Sequence, residues 1–408
     1  MKNKGQSKKL MTLAVALGLL TGTVIHAAAK PLKVYILSGQ SNMQGHVNVS
    51  TFDSMAGDPK TAPILKEMRD ASGKSRVCQK VWISSIGCAG DDTTEQTGKV
   101  TTGFGASKDE IGPEFTFALT MEKELNEPIL LIKTSWGGRS LHTNFRPPSA
   151  GPYVWSEFEL ARRKDSLEKA KAETIKDTGA DYRRMIGHVR KVLGDIKRVL
   201  PDYDPKQGYE VAGFVWFQGF NDLVSDWTYD KGDRPGGYDM YAELLADLIR
   251  DVRKDLSAPK MPFVIGVIGV GGVKEENKPS RMKHLRQAMA APASLPEFKG
   301  NVVAVPTALY WDDELEALRA RLEGFWSKVD ARVAEEAKKN PKMTGEELQA
   351  FKTKVTAEDF TPAEWKHLQA ASNGGYHYLG AAKIMAPIGK AFAEAMVKLQ
   401  ATQPKAKR

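Results

Sequence analysis

Four short stretches of this chain end in residues that could together carry out acyl transfer. "VYILSGQSNMQGH" (Val34 to His46) runs an apolar strand into Ser41. A serine hydroxyl in such a strand-to-helix turn attacks a carbonyl carbon if a base takes its proton and N–H groups receive the oxyanion. "KTSWGG" ends at Gly137-Gly138, where missing side chains let a substrate reach backbone donors. "VWFQGFND" ends in Gln218, Asn221 and Asp222, and "NGGYHYLG" supplies His377 as a base just before a helical pattern that starts around Ala381. Taken singly, each stretch reads as an ordinary turn, since Gly, Ser and Asn dominate turns. The signal is that all four sit where one sheet edge can gather them.

That edge is implied by the alternation of apolar runs with helical periodicity, the pattern of an α/β sheet. Leu32–Gly39, Pro128–Gly138, Val211–Asp222, Pro262–Gly272 and Asn301–Asp313 read as strands running into polar or glycine-rich tips. The stretch from Gly112 reads as a helix. Tyr182, Met185, Ile186, Val189, Val192, Leu193 and Ile196 repeat at three and four until Pro201, and the spacing resumes at Tyr241, Leu244, Leu245, Leu248, Ile249 and Val252. The expected fold is one doubly wound, mostly parallel sheet of about five strands flanked by helices, spanning 30–400. In such sheets ligands bind outside the carboxyl ends of the strands, which is where these tips lie. Residues 314–373, rich in Glu, Ala, Lys and Arg, break the rhythm and read as two or three exposed helices inserted into the domain.

Composition narrows the function further. Lys2, Lys4, Lys8 and Lys9 precede an apolar run from Leu10 to Ile25 and then "HAAAK", the pattern of a secretory signal over 1–29 cleaved near Ala29. The other reading of that run is an uncleaved membrane anchor. The formal charge of +9 includes those four lysines, so 9 − 4 = +5 remains after cleavage. Lys405, Lys407 and Arg408 in a loose basic tail (401–408) carry three more of those charges. The body is therefore near neutral, which argues against a nucleic-acid partner despite a pI near 9.2. Cys78 and Cys88 are the only cysteines, and their separation permits a disulfide in an oxidising compartment without requiring one. Neither has a neighbouring His or second Cys pair, so no metal is expected. "GVIGVGG" lacks dinucleotide-binding spacing, and no organic cofactor is expected either.

"GQSNMQG", "GPE", "KTSWGG", "WFQGFND" and a late "HYLG" occur in an order that resembles the SGNH-type hydrolases of the sialate O-acetylesterase and acetylxylan esterase branch. The matching blocks cover roughly 32–145, 211–310 and 375–396. The resemblance implies a flavodoxin-like fold and an esterase, and the signal pattern of 1–29 implies that it is secreted or periplasmic. Its substrate would be an O-acetylated carbohydrate, with no nucleic-acid partner and no stable membrane association after signal cleavage. Carried over position by position, it implies Ser41 as nucleophile, His377 as base, and an oxyanion hole from the Ser41 amide and Gly138, with Asn221 or Gln218 as side-chain donor. Gln40, Trp136 and Tyr376 fall on the substrate side. Trp136, Trp216 and Trp311 could stack on sugar rings or simply pack at strand ends. Two positions depart from the family pattern. The acid expected three residues before His377 is Gly374, and the Glu of some relatives is Phe220. Asp222 is the preferred replacement acid, Asp312 and Asp313 are others, and Asn373 or a backbone carbonyl could instead fix the imidazole tautomer. Loss of the acid also leaves open a carbohydrate-binding protein on an esterase scaffold. A lipase is disfavoured because no apolar lid is evident.

Overall fold

Nine strands form in the computed structural model, which describes residues 1, 30–88, 91–277 and 280–402. Apart from Met1, the expected signal segment lies outside the described residues, as does the tail from 403 onward. The strands are β1 Leu32–Gly39, β2 Val47–Asn48, β3 Val81–Ile86, β4 Glu95–Lys99, β5 Glu110–Ile111, β6 Ile129–Ser135, β7 Tyr209–Phe217, β8 Phe263–Val267 and β9 Val302–Pro306. Seven make one sheet in the order β4-β3-β6-β1-β7-β8-β9, while β2 and β5 pair separately. All contacts in the large sheet are parallel except β3–β4.

The expected five strands are thus β1, β6, β7, β8 and β9, and the two additions lie on one side. β3 (VWISSI) mixes serines into its apolar run, and β4 (EQTGK) is a polar antiparallel edge strand with no hydrophobic alternation to reveal it. Parallel strands buried on both faces read as continuous apolar runs, and β1 is the example. Tyr35 and Leu37 face one core with Phe115, Phe117, Met385 and Phe392, whereas Val34 and Ile36 face the other with Tyr182, Val189, Leu245 and Ile249. Helices Glu114–Leu125 and Ala382–Thr402 cover the first face; Ala180–Gly194 and Asp239–Asp255 cover the second. The last helix reaches Thr402, so residues 401 and 402 belong to the fold rather than to a loose tail.

The insertion holds four helices, not two or three: Asp313–Leu322, Phe325–Lys339, Gly345–Asp359 and Pro362–Leu368. Gly324 separates the first two, and capping boxes at Thr344 with Glu347 and at Thr361 with Glu364 start the last two. Leu318, Phe325, Val329, Val355, Phe360 and Leu368 give these helices a small core of their own. Among the described residues no helix is long and apolar enough to cross a membrane. Cys78 and Cys88 are both buried and unpaired, so the permitted disulfide is not formed. Cys88 Sγ instead lies 3.3 Å from Ser135 Oγ.

From β1 the chain leaves to β3, returns to β6, and then crosses β1 to build β7, β8 and β9 on the other side. β1 is therefore the switch point, and its carboxyl end is level with those of β6 and β7: Gly39 pairs with both Ser135 and Phe217. A side chain at Gly39 would strike the Phe217 carbonyl oxygen at 2.1 Å, so glycine is needed for β7 to come this close. The short helix Ser41–Gln44 follows, and Gly45 ends it at φ +91, pressed against Gly112.

Beneath that helix lies a fully buried ion pair. Lys133 on β6 points its ammonium at Glu114 Oε2 (2.7 Å), the Gln44 carbonyl (2.7 Å) and the Phe104 carbonyl (2.6 Å), which uses all three of its donors. Glu114 Oε1 accepts from the Gly112 amide at 2.9 Å. Removing one member of such a pair strands the other in an apolar core. Lys133→Met is therefore expected to lower the free energy of unfolding by about 3–5 kcal/mol in urea titration, and Lys133→Met combined with Glu114→Gln to recover part of that loss.

Candidate active site

Ser41 opens its helix directly after β1 and is 8 % exposed. The first amides of a helix have no intrahelical partner, and the Ser41 N–H makes no hydrogen bond to another described residue. Its neighbour Gln40 is buried and fully committed. Gln40 Oε1 accepts from Gln218 Nε2, the Gly219 amide and the Asn221 amide, each at 3.1 Å, and its Nε2 donates to Asn221 Oδ1 at 2.8 Å. The same Nε2 stands 3.5 Å from Ser41 Oγ. Gln40 thus braces β1 against β7 and is not free to bind substrate.

Gln218, expected as an oxyanion donor, is equally occupied. Its amide nitrogen serves Gln40 Oε1, the Arg139 carbonyl (3.0 Å) and Asp222 Oδ2 (2.6 Å), while Tyr241 OH donates to its Oε1 at 3.1 Å. Asn221 is different: its Oδ1 is taken by Gln40, and its Nδ2 has no partner among the described residues. Gly137 and Gly138 are exposed in the turn after β6. A side chain built on Gly137 would lie 4.0 Å from Ser41 Cβ, and one on Gly138 (φ +71) would meet nothing. The turn therefore faces Ser41 through Gly137, with Gly138 beside it as open backbone. The available donors are thus the Ser41 amide, the glycine-turn amides and Asn221 Nδ2.

His377 lies in the turn Gly375–Gly380, which packs against the Ser41 helix. Tyr378 and Leu379 hold left-handed backbone there, at φ 54 and 60, a conformation that side-chain-bearing residues resist. The strain is held by the buried Tyr378 hydroxyl, which accepts from the Gly269 amide at 2.7 Å and lies at the same distance from Thr307 Oγ1, whose own hydrogen goes to the Val267 carbonyl. Ser372 Oγ joins this turn to the Asn48 amide at 3.1 Å, pinning it beside β2.

The imidazole meets an amide, not a carboxylate. His377 Nδ1 lies 3.1 Å from Asn373 Oδ1, so Nδ1 carries the proton and Nε2 is left as the basic atom. Asp222, the preferred replacement acid, does not face His377. It is fully buried and accepts from Leu141 N, His142 N, His142 Nδ1, Gln218 Nε2 and Tyr229 OH. Burial opposes its charge, but the His142 hydrogen bond and the others outweigh burial and hold its carboxyl below the usual value. Asp312 caps the helix Asp313–Leu322 and pairs with Lys383 and His367, and Asp313 pairs with Lys274 at the surface. Neither reaches His377.

Trp136 does not line the site. It is fully buried against Phe145, and its Nε1 donates to the Asp92 carbonyl. Trp216 is buried in the core, and Trp311 is 9 % exposed, edge-on to Tyr378. Tyr376, by contrast, is 50 % exposed beside His377 and Phe220, at centroid distances of 4.5 and 6.1 Å. No hydrogen bond joins Ser41 Oγ to His377 in this structure. Among the described residues, no group of three or more His, Cys, Asp or Glu is placed to hold a metal ion.

His46 was not singled out from sequence. Its ring stacks flat on His377, with centroids 3.9 Å apart and planes 3° apart. Only its place in the block after Ser41 could have drawn attention to it. Burial, then the charge of Lys133, lowers His46 to about 4; burial, then His46 itself, lowers His377 to about 4. Both rings are therefore neutral at pH 7.

A serine and an imidazole gathered at the switch point of a doubly wound sheet define a hydrolase-like α/β site. Residues 31–308 match the family model described as carbohydrate esterase, sialic acid-specific acetylesterase, and the chain belongs to that family. Among solved structures it is similar to an Arabidopsis thaliana protein at 18 % identity, with 68 % of this chain and 86 % of that one covered and a TM-score of 0.38. It is also similar to a carbohydrate acetylesterase from Xanthomonas citri at 16 % identity, with 68 % of this chain and 51 % of that one covered and a TM-score of 0.39. No curated protein matches the chain.

An imidazole lowered to about 4 stays unprotonated through the mildly acidic range and gains its proton only as pH falls through that value. The imidazole resonances of His377, followed by NMR, are expected to titrate near pH 4 and not near 6.5. In His46→Ala, which removes both the overlying ring and its charge, the midpoint should move up toward the ordinary histidine value.

Proposed function

We propose that this protein is an exported carbohydrate O-acetylesterase that works through an acyl-enzyme on Ser41. The observation that carries the reading is the Ser41 hydroxyl at the start of a helix with a free amide, beside a turn that holds His377 with its Nε2 unprotonated. Ser41 Oγ attacks the acetyl carbonyl carbon, and its proton passes to His377 Nε2. The Ser41 amide, the Gly138 turn and Asn221 Nδ2 receive the oxyanion. Collapse breaks the ester bond, and the sugar oxygen leaves with the proton from His377. Water then gives its proton to the same nitrogen, its oxygen attacks the acetyl-enzyme, and acetate leaves as Ser41 recovers its hydrogen. Asn373 orients the ring throughout. An amide oxygen fixes the tautomer but supplies no charge to stabilise the imidazolium, so the base is weak and catalysis leans on the oxyanion donors. The basic head, apolar run and small residues of 1–29 support export, and the family supports an acetylated sugar as substrate.

The same missing carboxylate favours a second reading, a glycan-binding protein with little turnover. A fluorophosphonate separates the two: the esterase takes one label at Ser41, while a pure binder stays unmodified. For the esterase, Ser41→Ala is expected to cut acetate release from O-acetylated glycans by roughly 10⁴–10⁶-fold, and Asn221→Ala by about 10²–10³-fold. Unchanged hydrolysis in Ser41→Ala overturns the mechanism. Asn373→Asp places a carboxylate on Nδ1, and at pH 7 its kcat is expected to rise at least about tenfold, with the acid limb of kcat/KM moved to higher pH.

A further inference from the structure

A second polar cleft opens beside the Ser41 site. Residues 139–146 leave β6, and residues 224–228 follow the single-turn helix Phe220–Leu223 after β7. With the helix Glu157–Arg162 they enclose a cavity of about 400 Å³, whose walls include His142, Tyr153, Glu159, Arg163, Trp227 and Thr228. Its polar groups converge. Thr228 Oγ1 meets His142 Nε2 at 3.0 Å, Tyr153 OH at 3.1 Å and Ser225 Oγ at 3.0 Å, and Tyr153 OH reaches Glu159 Oε2 at 2.9 Å. His142, Glu159 and Thr228 are only 6 %, 4 % and 8 % exposed.

A wall built only for packing would be apolar, since burying a carboxylate and an imidazole is costly unless they are fully bonded. Here the bonding is incomplete. Arg163 Nε is buried without a hydrogen-bond partner, and its separation of 3.5 Å from Glu159 Oε1 makes an ion pair but no hydrogen bond. An unmet donor beside a buried carboxylate fits a ligand that both donates and accepts, and Trp227, 37 % exposed at the rim, holds the Arg163 guanidinium in place with its ring at 4.8 Å. A sugar hydroxyl does both. With Glu159 and Asp226 set against Arg163, the cleft offers no excess of positive charge to hold an anion.

We propose that this cleft is a sugar subsite that holds a neutral pyranose of the glycan chain away from the acetylated residue. The inference rests on the carbohydrate-esterase reading and adds to it a second place on the chain where the glycan is held. Continuity with Ser41 supports it. Thr228 leads through His142 to Asp222 at 3.1 Å, then to Gln218 at 2.6 Å, then to Gln40 at 3.1 Å, whose side chain borders Ser41. The cleft and the nucleophile therefore lie on one carboxyl edge, in one hydrogen-bonded frame.

The test uses the full mature chain with Glu159→Gln and Trp227→Ala, neither of which touches the proposed chemistry, each checked for an unchanged melting temperature. Binding of unacetylated xylotetraose, mannotetraose and cellotetraose is measured by calorimetry, with sialyllactose as the acidic arm. At least one neutral probe is expected to bind wild type and to lose about ten- to a hundred-fold in affinity in Glu159→Gln. For the matching acetylated oligosaccharide, KM should rise by a similar factor while kcat/KM on p-nitrophenyl acetate stays within about twofold of wild type. Binding of sialyllactose alone, binding of no probe, or neutral binding unaffected in both variants overturns the subsite. If no acetylated glycan is hydrolysed but the neutral probe still binds in a Glu159-dependent way, the esterase reading fails and the cleft stands.

Discussion

The interaction on which the site depends is the ammonium of Lys133, buried in the middle of the sheet and shared between Glu114 and two carbonyls. A buried ion pair is poor evidence of stability by itself, because desolvation cancels much of the Coulombic gain. Its value here is positional. One of the accepted carbonyls is Gln44 O, at the last residue of the Ser41 helix, where a cation also suits the negative end of the helix dipole. Single-turn helices do not hold themselves, since nucleation is unfavourable at this length. The Ser41 helix is therefore held from outside, by Lys133 at its end and by Gln40 at its beginning.

The same charge acts on the imidazole that stacks on His377. Lys133 helps to keep His46 neutral, and a neutral His46 can lie flat on His377 without repulsion. Two imidazolium rings 3.9 Å apart would repel, so the stack favours the unprotonated form of both. A Ser-His-Asp site normally reaches a competent base by placing a carboxylate on Nδ1. In this chain an amide oxygen sets the tautomer, a second imidazole stacks on the ring, and a lysine within the sheet biases that second imidazole toward neutrality. Geometry is kept at the cost of basicity.

Much of this was legible in the sequence and some of it could not be. Ser41 and His377 stood out because a nucleophile and a base at the tips of apolar runs are brought to one edge by any doubly wound sheet. The five interior strands were legible because burial on both faces leaves continuous apolar runs. Edge strand β4 was not, because one side of it meets water and polar residues suffice there. Trp136 and Gln218 were misread for a common reason: one residue past a strand end, a side chain can turn back into the core, and the sequence does not say which way. The His46–His377 stack joins positions far apart in the chain, and no period or spacing encodes it. The Asn373 contact was within reach as an alternative. What hid it was the backbone, since Tyr378 and Leu379 take left-handed conformations that composition argues against.

Asp222 shows why residue type at a strand end is a weak guide to role. An ionised carboxylate offers about four lone-pair positions, and five donors already converge on this one, so no capacity remains for a second imidazole. Those donors come from the loop after β6, the end of β7 and the segment beyond it. The carboxylate therefore ties together the walls that carry Gly138 and Asn221, and it does so in its ionised form. A triad acid needs the opposite arrangement, with a free oxygen facing one imidazole and a turn that brings that imidazole within reach. The turn at 373–377 supplies the second condition through Asn373. The position that reaches His377 carries an amide, while the carboxylate of Asp222 is consumed in building the frame.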